Sequence, residues 1–189
     1  MPPTPAPVYQ LRITLMGIEP PIWRQLHVPS TMTLADLHDA IQLSMGWDND
    51  HLHEFRVGRE RRIGVTGMDF MDAEDENEDE NDVILSSVLA KPGQRMEYVY
   101  DFGDSWKHDV LLETVHVPAK ALKSPVCIAG ERACPPEDSG GVWGYGELLE
   151  MLKDPENPEY EERMEWLGDD FDPEAFDLAE TNRWLKKLG

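Results

Sequence analysis

The sequence has 189 residues, and its 38 Asp and Glu against 17 Lys and Arg give a formal net charge of −21 at pH 7. With 40% hydrophobic residues it can bury one core, and its length favours one domain over two. So negative a field repels phosphate backbones and disfavours non-specific nucleic-acid binding. No apolar run reaches the roughly 18 residues of a membrane helix, and residues 1–7 lack a secretion signal. We therefore expect a cytoplasmic protein without a membrane partner.

The acidic residues are concentrated in two segments. Residues 69–82 contain nine acids and no base, and residues 131–189 contain 17 acids against six bases. A dense block of like charge repels itself and buries little apolar surface, so we predict that residues 69–82 are a mobile loop. The proline-rich residues 1–7 are predicted to be a disordered tail, and residues 8–189 a single domain.

The first half of the chain has the clearer periodicity. Alternating apolar residues predict three strands, at residues 9–15, 22–29 and 53–57. Between the second and third strands, residues 33–45 have apolar side chains at helical spacing. Thr33 and Asp36 match a capping box at the start of this helix, and Gly46 can end it. The predicted order is therefore β-β-α-β.

The second half is less regular. Residues 96–102 and 106–117 predict a hairpin around a tight turn, whereas residues 118–144 show no period. Helices are predicted near residues 148–152 and 160–167, and a last helix is predicted to start at Asp172 and Pro173. The whole pattern predicts an α+β fold, in which a β-β-α-β front is followed by a hairpin and a helical C-terminal part.

Several segments form specific motifs: PPIWRQLHVP at 20–29, HLHEF at 51–55, YVYDFGDSWKH at 98–108, CPPEDSGGVWGY at 134–145 and DFDPEAF at 170–176. They resemble the plasmid pRiA4b ORF-3-like family, from about Tyr9 to the C-terminus. The resemblance implies a compact α+β domain of undetermined activity, carried on plasmids and as a passenger of insertion elements. Some members have a TnpR-like label, but no serine here has the arginine-rich surroundings that a resolvase needs.

Ionisable and aromatic side chains recur in these motifs and form our candidate ligand-binding set. The set is His51, His53, Asp101, Asp104, Trp106, His108, Glu137, Asp138, Trp143 and Tyr145. We predict that its polar members, with Cys134, converge on one cleft lined by Trp106, Trp143 and Tyr145. The alternative is structural: Asp101 and Asp104 accept hydrogen bonds within their turn, and Phe102 and Trp106 lie in the core. Similarly, Trp23 can pack in a rigid turn while Arg24 extends its charge to solvent.

The same residue types can bind metals. Cys127 and Cys134 with two histidines would suit zinc, and carboxylates with one histidine would suit manganese or magnesium. However, six residues separate the two cysteines, which is outside the usual gap of two to four in zinc ribbons. We therefore expect no cofactor, with zinc or manganese as the alternative.

The sequence is compatible with three functions. The leading hypothesis is a non-catalytic binding or regulatory module with a protein or small-molecule partner, because no nucleophile–base pair or phosphate-binding glycine loop is visible. The alternative is a metal-dependent hydrolase or nuclease that uses the His, Asp and Glu residues of the set to activate water. A third hypothesis is nucleic-acid binding by the short basic run of Arg56, Arg59, Arg61 and Arg62.

Overall fold

The computed structural model describes residues 5–66, 77–168 and 171–189. Within these ranges, one mixed sheet is accompanied by five α-helices. The strands are β1 (Val8–Leu15), β2 (Ile22–Pro29), β3 (His53–Val57), β4 (Arg61–Gly64), β5 (Glu78–Asp79), β6 (Arg95–Tyr100), β7 (Trp106–His116) and β8 (Val126–Glu131). The helices are α1 (Leu34–Met45), α2 (Leu85–Val88), α3 (Gly141–Met151), α4 (Tyr160–Leu167) and α5 (Leu178–Leu185). The architecture confirms the predicted α+β class.

The sheet has the order β5-β4-β3-β6-β7-β1-β2-β8. Neighbouring strands are antiparallel except β4 and β5, which are parallel. In β1, every second side chain is buried, which confirms the half-buried strand predicted from its alternation. None of the described helices has the length and apolarity needed to cross a membrane.

Helix α1 follows the predicted pattern at both ends. The Thr33 hydroxyl accepts a hydrogen bond from the Asp36 N–H, and the Asp36 carboxylate accepts one from the Thr33 N–H, each at 3.1 Å. Gly46 has a φ of 97°, a left-handed conformation that glycine adopts without strain. The apolar face between these caps, which includes Leu37 and Ile41, is fully buried in the core.

The region from 118 to 144 contains a strand that the sequence did not predict. Strand β8 pairs with β2, and only Cys127 among its residues is buried, so its side chains show no alternation. The outer edge of β8 is covered by α5. The Asn182 side-chain amide donates to the Cys127 carbonyl at 2.8 Å and accepts from the Cys127 N–H at 2.9 Å. This amide replaces the ladder bonds that a further strand would make.

The predicted start of the last helix is wrong. Helix α5 begins at Leu178, and Asp177 caps it by accepting a hydrogen bond from the Glu180 N–H at 2.9 Å. Asp172 instead accepts a hydrogen bond from the Glu174 N–H within a turn. Aspartate serves both turns and helix caps, so the residue type alone did not distinguish the two sites.

The acidic segment 69–82 needs a correction in its last residues. Glu78 and Asp79 form β5 against β4, and Glu80 is buried with its carboxylate 2.6 Å from Nε2 of His53. The prediction treated all the acids as solvated, because the sequence does not show that Glu80 has a buried partner in His53. Residues 69–76 lie outside the described residues, as do residues 1–4 of the predicted tail.

Candidate functional site

Predicted residues from three parts of the chain meet at one end of the sheet. His51 precedes β3 and Asp101 follows β6, and these strands are neighbours with His53 opposite Tyr100. Asp138 comes from the loop before α3. That loop is attached to the β6–β7 turn, because the Gly140 N–H donates to the Asp104 carboxylate at 3.0 Å.

The side chains of His51, Asp101, Glu137 and Asp138 form the group that we call the His51 cluster. Nε2 of His51 lies 3.4 Å from Oδ1 of Asp138 and 3.9 Å from Oε2 of Glu137, and its Nδ1 lies 3.9 Å from Oδ1 of Asp101. One ligand atom each from His51, Asp101 and Asp138 lies within 4.8 Å of the other two. A group of ligand atoms with this spacing could hold a metal ion.

The backbone holds the carboxylates of this cluster in restricted positions. Asp101 and Asp138 have φ values of 54° and 55°, in the left-handed region that non-glycine residues seldom adopt. Asp101 is buried, and its Oδ1 also accepts a hydrogen bond from the Gly103 N–H at 2.8 Å. Unfavourable backbone conformations of this kind occur often at binding sites, where the surrounding structure maintains them.

Glu137 contributes the most unusual electrostatic feature. Its Oε1 accepts hydrogen bonds from the Tyr100 hydroxyl at 2.9 Å and from the Asp48 N–H at 3.1 Å. Its Oε2 is buried and has no hydrogen-bond partner among the described residues. Burial raises the pKa of the Glu137 carboxyl, and the two hydrogen bonds offset this in part. A cation beside Oε2 would supply the missing partner.

The remaining predicted residues do not share an open cleft with the cluster, which corrects that expectation. His53 is buried, where it pairs with Glu80 and stacks on His38 at 3.4 Å between ring centroids. His108, Trp106 and Tyr145 are fully buried and cannot line a surface cleft.

The environments of Trp143, Phe102 and Asp104 also differ from the predicted ones. Trp143 is 86% exposed, and Phe102, which the structural alternative placed in the core, is 49% exposed. Asp104 binds the Gly140 N–H rather than its own turn. Phe102 is exposed because β6 ends at Tyr100, before the alternation reaches it.

Neither cysteine belongs to the His51 cluster, although Cys134 lines the same cavity as Glu137. The Cys127 thiol is buried and donates to the Ala129 carbonyl at 3.3 Å. Cys134 is half-buried near Arg24, and burial raises the pKa of both thiols. Within the described ranges, neither belongs to a group of three side chains that could ligate a metal.

Arg24 has a structural role that the sequence did not predict. Rather than reaching solvent, it is 2% exposed, with Nε donating to the Ser44 carbonyl at 2.7 Å. Its other guanidinium nitrogens donate to the carbonyls of Trp23, Glu131 and Arg132, at 2.8 to 2.9 Å. Arg24 therefore ties β2 to the end of α1 and to the segment that leads to Glu137.

The basic run is largely neutralised by neighbouring acids. Arg56 contacts Glu54 and Glu97, and Arg61 makes two hydrogen bonds to Glu78. Arg62 also lies 3.5 Å from Glu54. These ion pairs reduce the positive charge that this surface could offer to phosphates.

A cavity of about 530 Å³ lies beside the cluster, between the end of α1, residues 133–137 and α5. Glu137 lines the cavity and also belongs to the His51 cluster, so it connects the two. Asp48 and Tyr100, which position Glu137, were absent from the predicted set. Tyr100 could have been found from the motif it shares with Asp101, because it is the last residue of the strand that leads to that carboxylate.

Comparison with known proteins gives consistent results. The family described as plasmid pRiA4b ORF-3-like protein matches residues 7–180. Uncharacterized protein y4hQ of Sinorhizobium fredii is 38% identical over 185 residues, covering 97% of this chain and 93% of the relative. The crystal structure of MM3350 from Methanosarcina mazei, a protein of unknown function, aligns with a TM-score of 0.82 at 44% identity. That alignment covers 93% of this chain and 97% of MM3350.

Proposed function

The chain belongs to the plasmid pRiA4b ORF-3-like family, and from its own site we propose that it is a binding module for a divalent metal ion held by the His51 cluster. The descriptions of y4hQ and MM3350 state no activity, so the proposal depends on the geometry of this chain alone. It develops the hypothesis of a non-catalytic binding or regulatory module.

The observation that carries the proposal is the position of one imidazole among three carboxylates, one of which has a buried oxygen without a partner. The His51 ring faces Asp101 on one side and Glu137 and Asp138 on the other. Oε2 of Glu137 is the oxygen without a hydrogen bond in the described part of the chain. Leaving such a group unbonded is costly, and a bound cation would remove the penalty.

The donor set indicates which ions would bind. One imidazole nitrogen with carboxylate oxygens suits manganese or zinc better than a thiolate-selecting ion such as Cu(I). The Asp138 side chain is 76% exposed, so one side of the ion would remain open to water or to a ligand. A metal bound in this way can bridge the protein to an anionic group of a partner.

Calorimetric titration of chelator-treated protein with Mn²⁺ and Zn²⁺ tests the proposal. We expect one ion per chain, with affinity reduced at least about tenfold by His51→Ala and by Asp138→Asn, because each removes a ligand. The matched control is Asp82→Asn, which neutralises another exposed acid and should bind like wild type. Absence of binding, or binding unchanged by both cluster variants, would refute the proposal.

A second candidate is the metal-dependent hydrolase, favoured by the cavity that Glu137 shares with the cluster. A substrate in that cavity would be close to a metal-bound water. Mn²⁺-dependent cleavage of bis(p-nitrophenyl) phosphate or p-nitrophenyl acetate, lost in Asp138→Asn, would support this candidate. Full metal binding without turnover of either ester would favour the binding module.

A further inference from the structure

The cavity beside the His51 cluster has the dimensions of a small-molecule site. Its volume of about 530 Å³ falls within the roughly 300 to 1,000 Å³ typical of ligand pockets. The exposed side chains of Asp48 and Trp184 lie on its wall, so the cavity is open to solvent. Neither residue belongs to the His51 cluster.

The wall of this cavity carries an excess of negative charge. Four carboxylates line it, those of Asp48, Glu137, Asp177 and Glu180. Glu180 lies 3.5 Å from Arg183, and Asp177 caps α5. The Asp48 carboxylate has no ion pair or hydrogen bond in the described parts of the chain, so it is free to bind a ligand.

Arg24 is the only cationic side chain among the described lining residues, and most of its hydrogen-bond donors are used within the protein. Four of its five N–H groups donate to main-chain carbonyls. Its guanidinium carbon also lies 4.3 Å from the centroid of the Phe176 ring. Because these donors are used internally, the guanidinium has at most one N–H left to bind an anionic ligand.

Aromatic rings form the apolar part of the wall. Trp47 is buried with its indole N–H donating to the Pro135 carbonyl at 3.0 Å, which fixes the ring. Phe176 already contacts a cation of this chain, and Nζ of Lys187 lies 3.7 Å from the centroid of the Trp184 ring. Aromatic faces attract cations through their quadrupole, and carboxylates nearby strengthen that preference.

We infer that this cavity binds a small organic cation, with an ammonium group at Asp48 and Glu137 and an apolar body against the aromatic rings. A hydrated metal ion would gain little binding free energy from the aromatic rings, and an anion would be repelled by the carboxylates. The inference goes beyond the proposed metal site, because the Trp184 side chain lies outside the His51 cluster and Asp48 contacts Glu137 only through its main-chain N–H.

Calorimetry with three matched probes tests the inference. We expect phenethylammonium to bind saturably with a Kd of about 1 mM or tighter, and phenethyl alcohol and phenylacetate to bind more weakly or not at all. Asp48→Asn and Trp184→Ala should each weaken phenethylammonium binding about three- to tenfold, through loss of the charge or of the ring face. Trp166→Ala is the matched control, because Trp166 on α4 is 47% exposed against 44% for Trp184 and does not line the cavity.

The outcomes separate this site from the metal site. Asp138→Asn should retain phenethylammonium binding while losing Mn²⁺, and Asp48→Asn should do the reverse. The inference is overturned if phenethylammonium does not saturate the protein, if the neutral alcohol binds equally well, or if neither Asp48→Asn nor Trp184→Ala weakens binding.

Discussion

Nε2 of His51 lies 3.4 Å from Oδ1 of Asp138, although one residue precedes β3 and the other precedes α3. The contact exists because the main chain at Gly141 packs directly on the β6–β7 turn. A Cβ atom at Gly141 would lie 2.5 Å from the Asp104 carbonyl oxygen. The position of Asp138 therefore depends on a glycine that touches neither the imidazole nor the carboxylate.

Gly141→Ala should destabilise the protein and weaken Mn²⁺ binding, although Gly141 is not a ligand. The new methyl group meets main-chain atoms, and the φ of 67° is unfavourable for alanine. We expect a loss of about 2 kcal/mol or more in the free energy of unfolding, measured by urea denaturation. Gly146→Ala on the same helix has free space and should be neutral or stabilising by up to about 1 kcal/mol. Equal effects of the two substitutions would disprove the packing argument.

Arg24→Met should cost about 3 kcal/mol or more in unfolding free energy. It leaves four main-chain carbonyls without their donor, and unsatisfied buried acceptors cost about 1 to 3 kcal/mol each. Arg12→Met is the control, since its guanidinium lies over the Trp23 ring at 3.9 Å and contributes about 1 kcal/mol or less. Thermal and urea unfolding of both variants measure the difference. Similar losses would mean that the carbonyls find other partners.

Elements that are specified by neighbouring residues were predicted from the sequence, whereas an element that depends on tertiary contacts was missed. Strands β1 and β2 and helix α1 were predicted because alternation and capping are recorded in neighbouring residues. Strand β8 was missed because only one of its side chains is buried, and a β-bulge in its pairing with β2 disturbs the register.

The sequence likewise predicted only part of the candidate site, because the assembly of the site depends on tertiary contacts. Motif chemistry selected His51, Asp101, Glu137 and Asp138, but their convergence depends on the pairing of β3 with β6, which no local pattern specifies. The burial of Arg24 likewise requires carbonyls of two distant segments, Ser44 in α1 and residues 131–132, to meet at one point, so the residue type alone suggested a solvent-exposed charge.

Glu80→Ala should destabilise the protein, contrary to the expectation for a solvated acidic loop. The substitution removes the buried carboxylate that hydrogen-bonds His53 at 2.6 Å, and a buried group left without its partner costs about 1 to 3 kcal/mol. Asp82→Ala, two residues further on and exposed, should stay within about 0.5 kcal/mol of wild type. Denaturant unfolding of the two variants at neutral pH is the measurement. An unchanged midpoint for Glu80→Ala would show that this segment is dispensable after all.

Acidification should destabilise the protein through two buried histidines. Burial lowers the pKa of His38 to about 3 and that of His108 to about 4, from an ordinary value of 6.5. Below 6.5 the unfolded chain binds protons that the folded protein excludes, so stability is full above this pH and falls as the pH drops towards the folded pKa values. Each group contributes at most about 1.4 kcal/mol per pH unit.

His108→Leu isolates one of these contributions. The variant cannot take up a proton at this position, so its stability should fall less than that of wild type between about pH 7 and about pH 5, by about 1 to 2 kcal/mol. Urea unfolding at both pH values measures this difference. Equal losses in wild type and variant would show that His108 is not protonated on unfolding in this range.

The measurement that tests the metal proposal most directly is anomalous diffraction from crystals soaked in MnCl₂. We predict one strong anomalous peak within the His51 cluster, within about 2.2 Å of a ring nitrogen of His51 and of at least one carboxylate oxygen. The same soak of Asp138→Asn crystals should weaken or abolish that peak. Density without a peak at this position, or manganese only at other acidic residues, would contradict the proposal that the His51 cluster is a metal site.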